Sequence, residues 1–270
     1  MEQLQTDRKG LTGFNLKIIG IILMVFDHIH QMFYMFGVPL WFTMLGRLVA
    51  PIFLFLSAEG FHYTKSKKRY LFRLWAAYVL MAFASSLIQR TLPSDVVLLN
   101  SIFGTLFLSA FYMWMIDLFS SGIKEKKASK VLLSIIGMLF PIILNIAILP
   151  LFAVTPPPIP IAALSAIINL IPLPLFVEGT FAWIILGVSF YLLRNKSRWI
   201  QVMPIIVIGV MSFIQGMNKP ANINWLMIFS AVLISFYNGK QGKKMKYFFY
   251  IFYPAHIYIF YIISYLMQSK

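Results

Sequence analysis

The chain has 270 residues, of which 60% are hydrophobic and 11% are charged. Soluble domains carry about 25% charged residues, so this composition excludes an ordinary water-soluble fold. The net charge of +15 would suggest a nucleic-acid partner in a soluble protein, but here the Lys and Arg residues stand in short clusters between apolar runs. That pattern is typical of membrane proteins, and we expect no nucleic-acid partner. The absence of cysteine excludes disulfides and thiolate chemistry.

Apolar runs that could cross a bilayer as helices recur along the whole chain. About 20 apolar residues span a hydrocarbon core roughly 30 Å thick. The runs do not alternate polar and apolar residues, as strands of a membrane barrel would. In chain order the predicted segments are 14–36, 42–63, 70–89, 98–120, 131–153, 159–177, 178–193, 199–215, 223–237 and 247–267.

The connections between these segments predict the topology. Basic connections, which should face the cytoplasm, stand at 65–69, 124–130, 194–198 and 240–246, with Arg8, Lys9 and Lys17 before them. Weakly charged connections, which should face outward, stand at 37–41, 90–97, 154–160 and 216–222. Strict alternation then allows one crossing between 154–160 and 194–198, although the apolar sequence there is long enough for two.

The predicted non-spanning piece is segment 156–177, in or beside which six prolines stand. Each proline removes a backbone donor, and such backbone survives at membrane depth only within protein or beside a wet cavity. We therefore predict an all-α polytopic transmembrane bundle of about nine or ten helices, with one proline-rich re-entrant or interfacial segment. It forms one membrane domain over residues 1–270 with about nine crossings and a cytoplasmic N-terminus; ten full crossings are the alternative. No removable signal peptide is expected.

Ionisable residues inside apolar helices cost about 2.5–3.5 kcal/mol each on insertion, so they normally face a bundle interior and indicate function. Asp27 and His28 interrupt the first helix about 20 Å from its inner end and point about 100° apart. We expect His28 to face a central cavity and Asp27 to pair with Arg47, which also lies toward the outer half. Alternatively, the Asp–Arg pair only holds helices together, and His28 is an interior histidine.

A second group of charged residues stands at the cytoplasmic end of the next two helices. Glu59 either pairs with Arg73 or extends to the inner interface. His62, Lys68, Arg69 and Arg73, which we call the basic mouth, fit a polyanionic cofactor, because Arg contacts phosphate with two N–H groups. Anchoring in lipid headgroups explains the same charge without further function.

His256 is the ionisable residue of the last helix. It follows Pro254 by two residues and lies among aromatic side chains that include Tyr253. His256 either lines a functional cavity or has a purely structural role. No metal site is predicted, since His28 and His30 point to different helix faces and the chain has no HExxH pattern.

Three blocks of sequence together resemble the TraX family and, more distantly, the wider group of integral-membrane acyltransferases. The blocks are LKIIGIILMVFDHIHQMF, GRLVAPIFLFLSAEGFHYTKSKKRYLFRL and KYFFYIFYPAHIYIFYII. They cover the first 75 residues and the last 25, and the middle of the chain resembles the family only in being hydrophobic. The residues that match the family's motifs are Asp27, His28, Gly46, Arg47, Glu59, Gly60, Tyr250, Tyr253, Pro254 and His256.

This resemblance implies transfer of an acetyl group from cytoplasmic acetyl-CoA to an amine or hydroxyl of an exported or envelope acceptor. Founding members of the family act on conjugative pilin, and here a peptide amine, a glycan and a lipid-linked sugar all stay open as acceptors. His28 would be the base or the nucleophile. Asp27 would set the tautomer of His28 or hold Arg47, and Arg47 would stabilise oxyanion charge or shape the acceptor site.

The same resemblance assigns the remaining polar residues. The basic mouth of His62, Lys68, Arg69 and Arg73 would hold the phosphates of coenzyme A. The cavity would be completed by Glu59, Tyr253 and His256. The implied location is the bacterial inner membrane, among its lipids.

Two other classes of function compete with the acyltransferase. Intramembrane His, Asp and Arg residues also form proton relays, so a proton-coupled transporter or exporter without acyl transfer is the main alternative. Against it, the sequence has no inverted or parallel repeat and no matching pair of broken helices. A structural membrane subunit is the third reading.

Overall fold

The computed structural model describes residues 9–98, 101–154, 159–217, 222–244 and 246–269. Within these ranges the regular structure is helical, apart from one isolated bridge between Leu11 and Tyr237. The α-helices are α1 (Gly13–Phe33), α2 (Trp41–Gly46), α3 (Val49–Tyr63), α4 (Lys67–Thr91), α5 (Ile102–Lys124), α6 (Ala128–Ile148), α7 (Ile161–Leu170), α8 (Thr180–Leu192), α9 (Arg198–Gly216), α10 (Ser230–Ser235) and α11 (Lys246–Gln268). Short 3₁₀ turns extend several of them. The predicted all-α polytopic bundle is confirmed.

Seven helical stretches in the described residues are long and apolar enough to cross a membrane. They are Gly13–Phe36, Trp41–Tyr63, Lys67–Thr91, Ile102–Lys124, Ala128–Phe152, Arg198–Gly216 and Tyr247–Gln268. Three shorter apolar helices are Ile161–Leu170, Thr180–Leu192 and Asn224–Ser235. About nine crossings therefore stay a prediction, because two of the short helices would have to cross as well.

The second apolar segment breaks where Arg47 stands. α2 ends at Gly46 and α3 begins at Val49, so Arg47 lies in the junction. Pro51 in the first turn of α3 has no N–H, and the carbonyl left without that donor is the one four residues earlier, on Arg47. The proline therefore explains why the helix is interrupted at the charged residue.

The chain divides into two compact units. The first comprises Met1–Leu56, Ser94–Val96 and Leu192–Lys270, and the second comprises Ser57–Pro93 and Val97–Tyr191. The single domain over residues 1–270 stays a prediction.

In the first unit, α1 packs against α2 and α11, and α9 packs against the turn Asn224–Phe229 and α10. The start of α1 is tied to the connection before α11. Gly13 and Phe14 donate their backbone N–H groups to the carbonyls of Lys240 and Gln241, both at 2.9 Å. These are amides that a helix N-terminus leaves without intrahelical partners. The entry of α1 into the bundle is thereby fixed.

In the second unit, α5 packs against α4 and α6. Small residues allow the close approach: a Cβ on Gly137 of α6 would lie 2.4 Å from the sulfur of Met115 on α5, and one on Gly104 of α5 would lie 2.9 Å from the ring of Tyr78 on α4. Close backbone approach at small residues is how membrane helices associate, because lipid supplies no hydrophobic driving force between them.

The proline-rich segment contains only a ten-residue helix, α7, in its described part. At 1.5 Å per residue this is about 15 Å, half a hydrocarbon core. Residues 155–158, with three of the six prolines, lie outside the described residues.

The last carbonyls of α7 are bonded to side chains of α4. Trp75 donates its indole N–H to the carbonyl of Leu170 at 2.9 Å, and Tyr78 donates its hydroxyl to that of Ile168. Irregular backbone at membrane depth needs such protein partners. The two carbonyls at the end of α7 are thus satisfied by side chains of α4.

Candidate functional site

Asp27 of α1 is the centre of a dense polar cluster in the first unit. Its Oδ1 accepts from the Thr43 hydroxyl at 2.5 Å and from Nη2 of Arg47 at 3.1 Å. Its Oδ2 accepts from Gln31 at 3.0 Å and from the same Nη2 at 3.4 Å. The predicted pairing of Asp27 with Arg47 is observed, and its geometry leaves neither carboxylate oxygen without a donor.

Arg47 is held by more than the carboxylate. Its Nη2 also donates to the Thr43 hydroxyl at 3.1 Å, and its Nε donates to the Thr43 carbonyl at 3.2 Å. Nη1 donates to Oδ1 of Asn224 at 3.3 Å, its one hydrogen bond among the described residues. The side chain keeps 23% of its surface exposed, against 13% for Asp27. Nη1 is therefore the nitrogen with most capacity to meet another molecule.

Gly46 makes the contact between α1 and α2 possible. A Cβ at this position would lie 2.3–2.5 Å from the side chain of Asp27, which is inside van der Waals contact. Any larger residue would push the carboxylate away from Thr43 and Arg47.

His28, the next residue of α1, faces α11 and contacts His256. Nδ1 of His28 lies 2.6 Å from Nε2 of His256, and both side chains are buried. Nδ1 of His256 lies 2.7 Å from the carbonyl oxygen of Phe252, one turn earlier in α11. Adjacent residues of α1 therefore serve two different partners, Asp27 holding Arg47 and His28 holding His256.

Aromatic rings pack around the two imidazoles. Phe252 stacks on His256 at 4.8 Å between centroids, and Phe260 meets the same ring edge-on at 5.8 Å. Tyr253, predicted from the sequence as a cavity residue, is buried and lies 5.9 Å from the ring of His28. These contacts restrain the two rings, so the hydrogen bond between them has a fixed geometry.

The second unit contains the other predicted site residues, Glu59 and the basic mouth. Lys68, Arg69 and His62 are exposed, and His62 packs on Tyr63 with 4.7 Å between ring centroids. The guanidinium of Arg73 lies 6.0 Å from the ring of Tyr70, and its buried Nε has no hydrogen-bond partner among the described residues. The pairing of Glu59 with Arg73 stays a prediction.

Several functional partners were absent from the sequence-based set. Gln31 stands four residues after Asp27, and Thr43 stands four residues before Arg47, so helical spacing could have found both. Asn224 is 177 residues from Arg47, and no local pattern links them. In the second unit, Tyr191 donates its hydroxyl to Asp117 at 2.7 and 2.8 Å from the two carboxylate oxygens.

The pair of histidines and the Arg47 guanidinium can each take part in a specific kind of chemistry. A pair of neutral imidazoles can take up and return a proton, and a guanidinium can stabilise negative charge that develops on oxygen. Among the described residues no group of three or more His, Cys, Asp or Glu side chains could hold a metal ion.

The fold and this cluster define a polytopic helical membrane protein in whose first unit the ionisable residues Asp27 and Arg47, and His28 and His256, meet in pairs. The family comparison agrees with that class: the TraX protein family matches residues 13–264, nearly the whole chain. The chain belongs to the TraX family. No curated protein and no solved structure matches it.

Proposed function

We propose that this protein is a membrane-embedded acyltransferase that moves an acetyl group from acetyl-CoA to an amine or hydroxyl of an envelope acceptor. The observation that carries the proposal is the buried contact between His28 and His256 beside the Asp27–Arg47 ion pair. Membership of the TraX family is compatible with this activity. A buried proton acceptor next to a fixed cation is what acyl transfer needs.

In the proposed reaction His28 removes the proton from the acceptor nitrogen or oxygen. The acceptor atom forms a bond to the thioester carbonyl carbon, and the bond from that carbon to sulfur breaks. The imidazolium of His28 then returns the proton to the leaving sulfur, so the enzyme ends as it began. Acetyl-CoA supplies the activated acyl group.

Arg47 is the proposed stabiliser of the oxyanion. Asp27 and Thr43 fix Nη2 and Nε, while Nη1 has a single longer bond to Asn224. A preorganised donor of this kind contributes to catalysis because it requires no rearrangement when charge develops. Asp27 is then a positioning residue for Arg47.

The basic mouth is the proposed site for the phosphates of coenzyme A. The residues fit such a ligand. The N–H group at the buried Nε of Arg73 has no hydrogen-bond acceptor among the described residues. Lys68 and Arg69 are exposed one turn earlier on α4. Guanidinium groups bind phosphate by charge-assisted hydrogen bonds. Glu59 belongs to the same proposed region.

The proposed location is the bacterial inner membrane with the N-terminus in the cytoplasm, as the basic connections indicate. Membrane lipids are proposed partners, and the proposed acceptors are an exported peptide, a glycan or a lipid-linked sugar.

The first experiment compares wild type with His28→Ala and His30→Ala, using radiolabelled acetyl-CoA and an envelope fraction as acceptor. His30 is the matched control, because it lies on α1 two residues further on, with its ring 6.5 Å from Tyr34. Loss of His28 should lower label transfer about 100-fold or more, the usual contribution of general base catalysis. His30→Ala should stay within about threefold of wild type.

Equal activity of folded His28→Ala and wild type would exclude His28 as the base. A folded wild-type protein that neither binds nor turns over acetyl-CoA, but moves a solute across proteoliposomes, would establish the transporter instead.

The donor site has its own test in Arg73→Gln against Arg90→Gln, at opposite ends of α4. Arg73→Gln should raise the KM for acetyl-CoA about tenfold, because a charged hydrogen bond to phosphate is lost. Arg90→Gln should leave the KM for acetyl-CoA unchanged, because Arg90 is exposed at the other end of the helix. The same KM in both variants would place the phosphates elsewhere.

A further inference from the structure

The hydrogen bonds around His256 determine which of its ring nitrogens carries the proton. Its Nδ1 lies 2.7 Å from the carbonyl oxygen of Phe252. A carbonyl oxygen only accepts, so Nδ1 must be the protonated nitrogen. In a neutral imidazole the other nitrogen is then an acceptor. Nε2 of His256 therefore presents a lone pair to whatever faces it.

What faces it is Nδ1 of His28, at 2.6 Å. Two ring nitrogens at this distance need one proton between them, and Nε2 of His256 has none to give. Nδ1 of His28 is therefore the donor. The remaining nitrogen of His28, Nε2, is left unprotonated. The order of donors thus runs from His28 to His256 to the Phe252 carbonyl.

We propose that His256 is the positioning residue that fixes His28 in the Nδ1-protonated tautomer, so that Nε2 of His28 is the basic atom of the acyltransferase. This inference rests on the proposed function. The proton from the acceptor arrives at Nε2 and leaves from Nε2 to the coenzyme A sulfur. The hydrogen on Nδ1 stays in its bond to His256 throughout.

Asp27 cannot take this role in the observed geometry. Both of its oxygens already accept hydrogen bonds, from Thr43, Gln31 and Arg47. Its neighbour His28 points to another face of α1, toward α11. An uncharged imidazole thus has the position that a carboxylate holds in many hydrolase triads. The pair needs no additional negative charge inside the membrane, which would be costly there.

The surroundings hold His256 in place for this purpose. His256 is 6% exposed and His28 is 9% exposed. Phe252 both accepts through its carbonyl and stacks through its ring, with an interplanar angle of 20°. Rotation of the His256 ring would break the bond to Phe252 and the bond to His28 together.

Two substitutions at the same position separate positioning from packing. His256→Gln puts an amide oxygen near the place of Nε2, where it can accept from Nδ1 of His28. His256→Asn puts its amide near the place of Nδ1, where it can still reach Phe252 but leaves His28 without its acceptor. Label transfer should stay within about tenfold in the Gln variant and fall about 100-fold or more in the Asn variant. Equal losses in two folded variants would overturn the proposal.

A second measurement needs no turnover. ¹⁵N NMR of histidine-labelled wild type distinguishes protonated from unprotonated ring nitrogens, with His28 assigned by its absence in His28→Ala. His28 should show a protonated Nδ1 and an unprotonated Nε2, and it should lose this preference in His256→Asn. A protonated Nε2 on neutral His28 in wild type would overturn the inference. If label transfer is absent but this tautomer is found, the proposed function fails and the positioning by His256 stands.

Discussion

Asp27 in the first unit and Asp117 in the second are carboxylates in membrane-spanning helices, but they are hydrogen-bonded in different ways. Asp27 accepts from a guanidinium, a hydroxyl and an amide. Asp117 accepts from the single hydroxyl of Tyr191, which is nearly equidistant from its two oxygens. Asp27 is buried and Asp117 is half-buried, and both are hydrogen-bonded, yet of the two only Asp27 has a positive partner.

Because of this difference, Asp27 is held in one arrangement more firmly than Asp117. Asp27 and Arg47 each hold the other, and removal of either leaves a charge at membrane depth without its counter-ion. Asp117 stands seven residues before Lys124, about 10 Å from the Lys-rich end of α5. Loss of its neutral donor leaves a side chain within reach of the interface.

The largest expected effect comes from Arg47→Ala. The Asp27 carboxylate keeps Thr43 and Gln31 but loses its cation, so the free energy of unfolding should fall by about 3 kcal/mol. Thermal denaturation in detergent measures this change. Arg90→Ala, at the exposed end of α4, is the control and should stay within about 0.5 kcal/mol. A charge-reversed pair, Asp27→Arg with Arg47→Asp, should recover part of the loss; no recovery would mean that Arg47 acts through packing alone.

Gly46→Ala should have the next largest effect, because the new methyl overlaps the Asp27 carboxylate. We expect a loss of about 1–3 kcal/mol in stability, the usual range for overpacking. Gly60→Ala is a matched control on α3, where a Cβ would meet nothing closer than the Tyr70 hydroxyl at 3.7 Å. The same melting temperatures in both variants would show that α1 and α2 can separate at little cost.

Tyr191→Phe removes the hydroxyl that donates to Asp117 and keeps the ring, which lies 5.5 Å from that of Phe61. The unfolding free energy should fall by about 1 kcal/mol, since one neutral donor to a carboxylate near the helix end is lost. Acetyl transfer should stay within about threefold of wild type, because Phe keeps the ring that lies 6.3 Å from His62 and the pair includes no proposed base or oxyanion donor. A loss as large as that in Arg47→Ala would contradict the contrast between the two carboxylates.

Glu125, in the connection between α5 and α6, is an exposed carboxylate with which Asp27 and Asp117 can be compared. Hydrogen bonds from Lys127 and then Lys130 lower the pKa of its carboxyl from 4.5 to about 2. A group whose pKa is lower in the folded state stabilises the protein above its unfolded pKa and loses that effect as the pH falls. Glu125→Gln should therefore melt slightly below wild type at pH 6, and the difference should disappear toward pH 2. A difference that grows on acidification would have the wrong sign.

Much of the fold could be predicted from the sequence, since apolar runs and prolines act locally. The ten apolar segments each contain a helix in the described residues, and the short α7 falls in the proline-rich segment. The pairing of Asp27 with Arg47 followed from their similar depth. Pro51 is the local feature that accounts for the break in the second segment, and α3 begins two residues before it.

The rest of the site depends on contacts that no local pattern encodes. His28 was expected to face a cavity, but its partner His256 lies 228 residues away in the sequence. The depth of a residue in the membrane does not identify which of several interior side chains it contacts. The role of Asp27 was open between His28 and Arg47, and the geometry assigns it to Arg47. Tyr191 was missed because a single tyrosine at a helix end has no periodic signal.

The distance in sequence between the two histidines also determines when the site can exist. The ribosome makes α1 early and α11 after every other described helix, so His28 enters the membrane long before His256 reaches it. Until then its imidazole has no partner to select a tautomer. A chain cut before α11 would carry every other proposed catalytic residue and still lack an oriented base. Synthesis of α11 is therefore the step that completes the proposed site around His28.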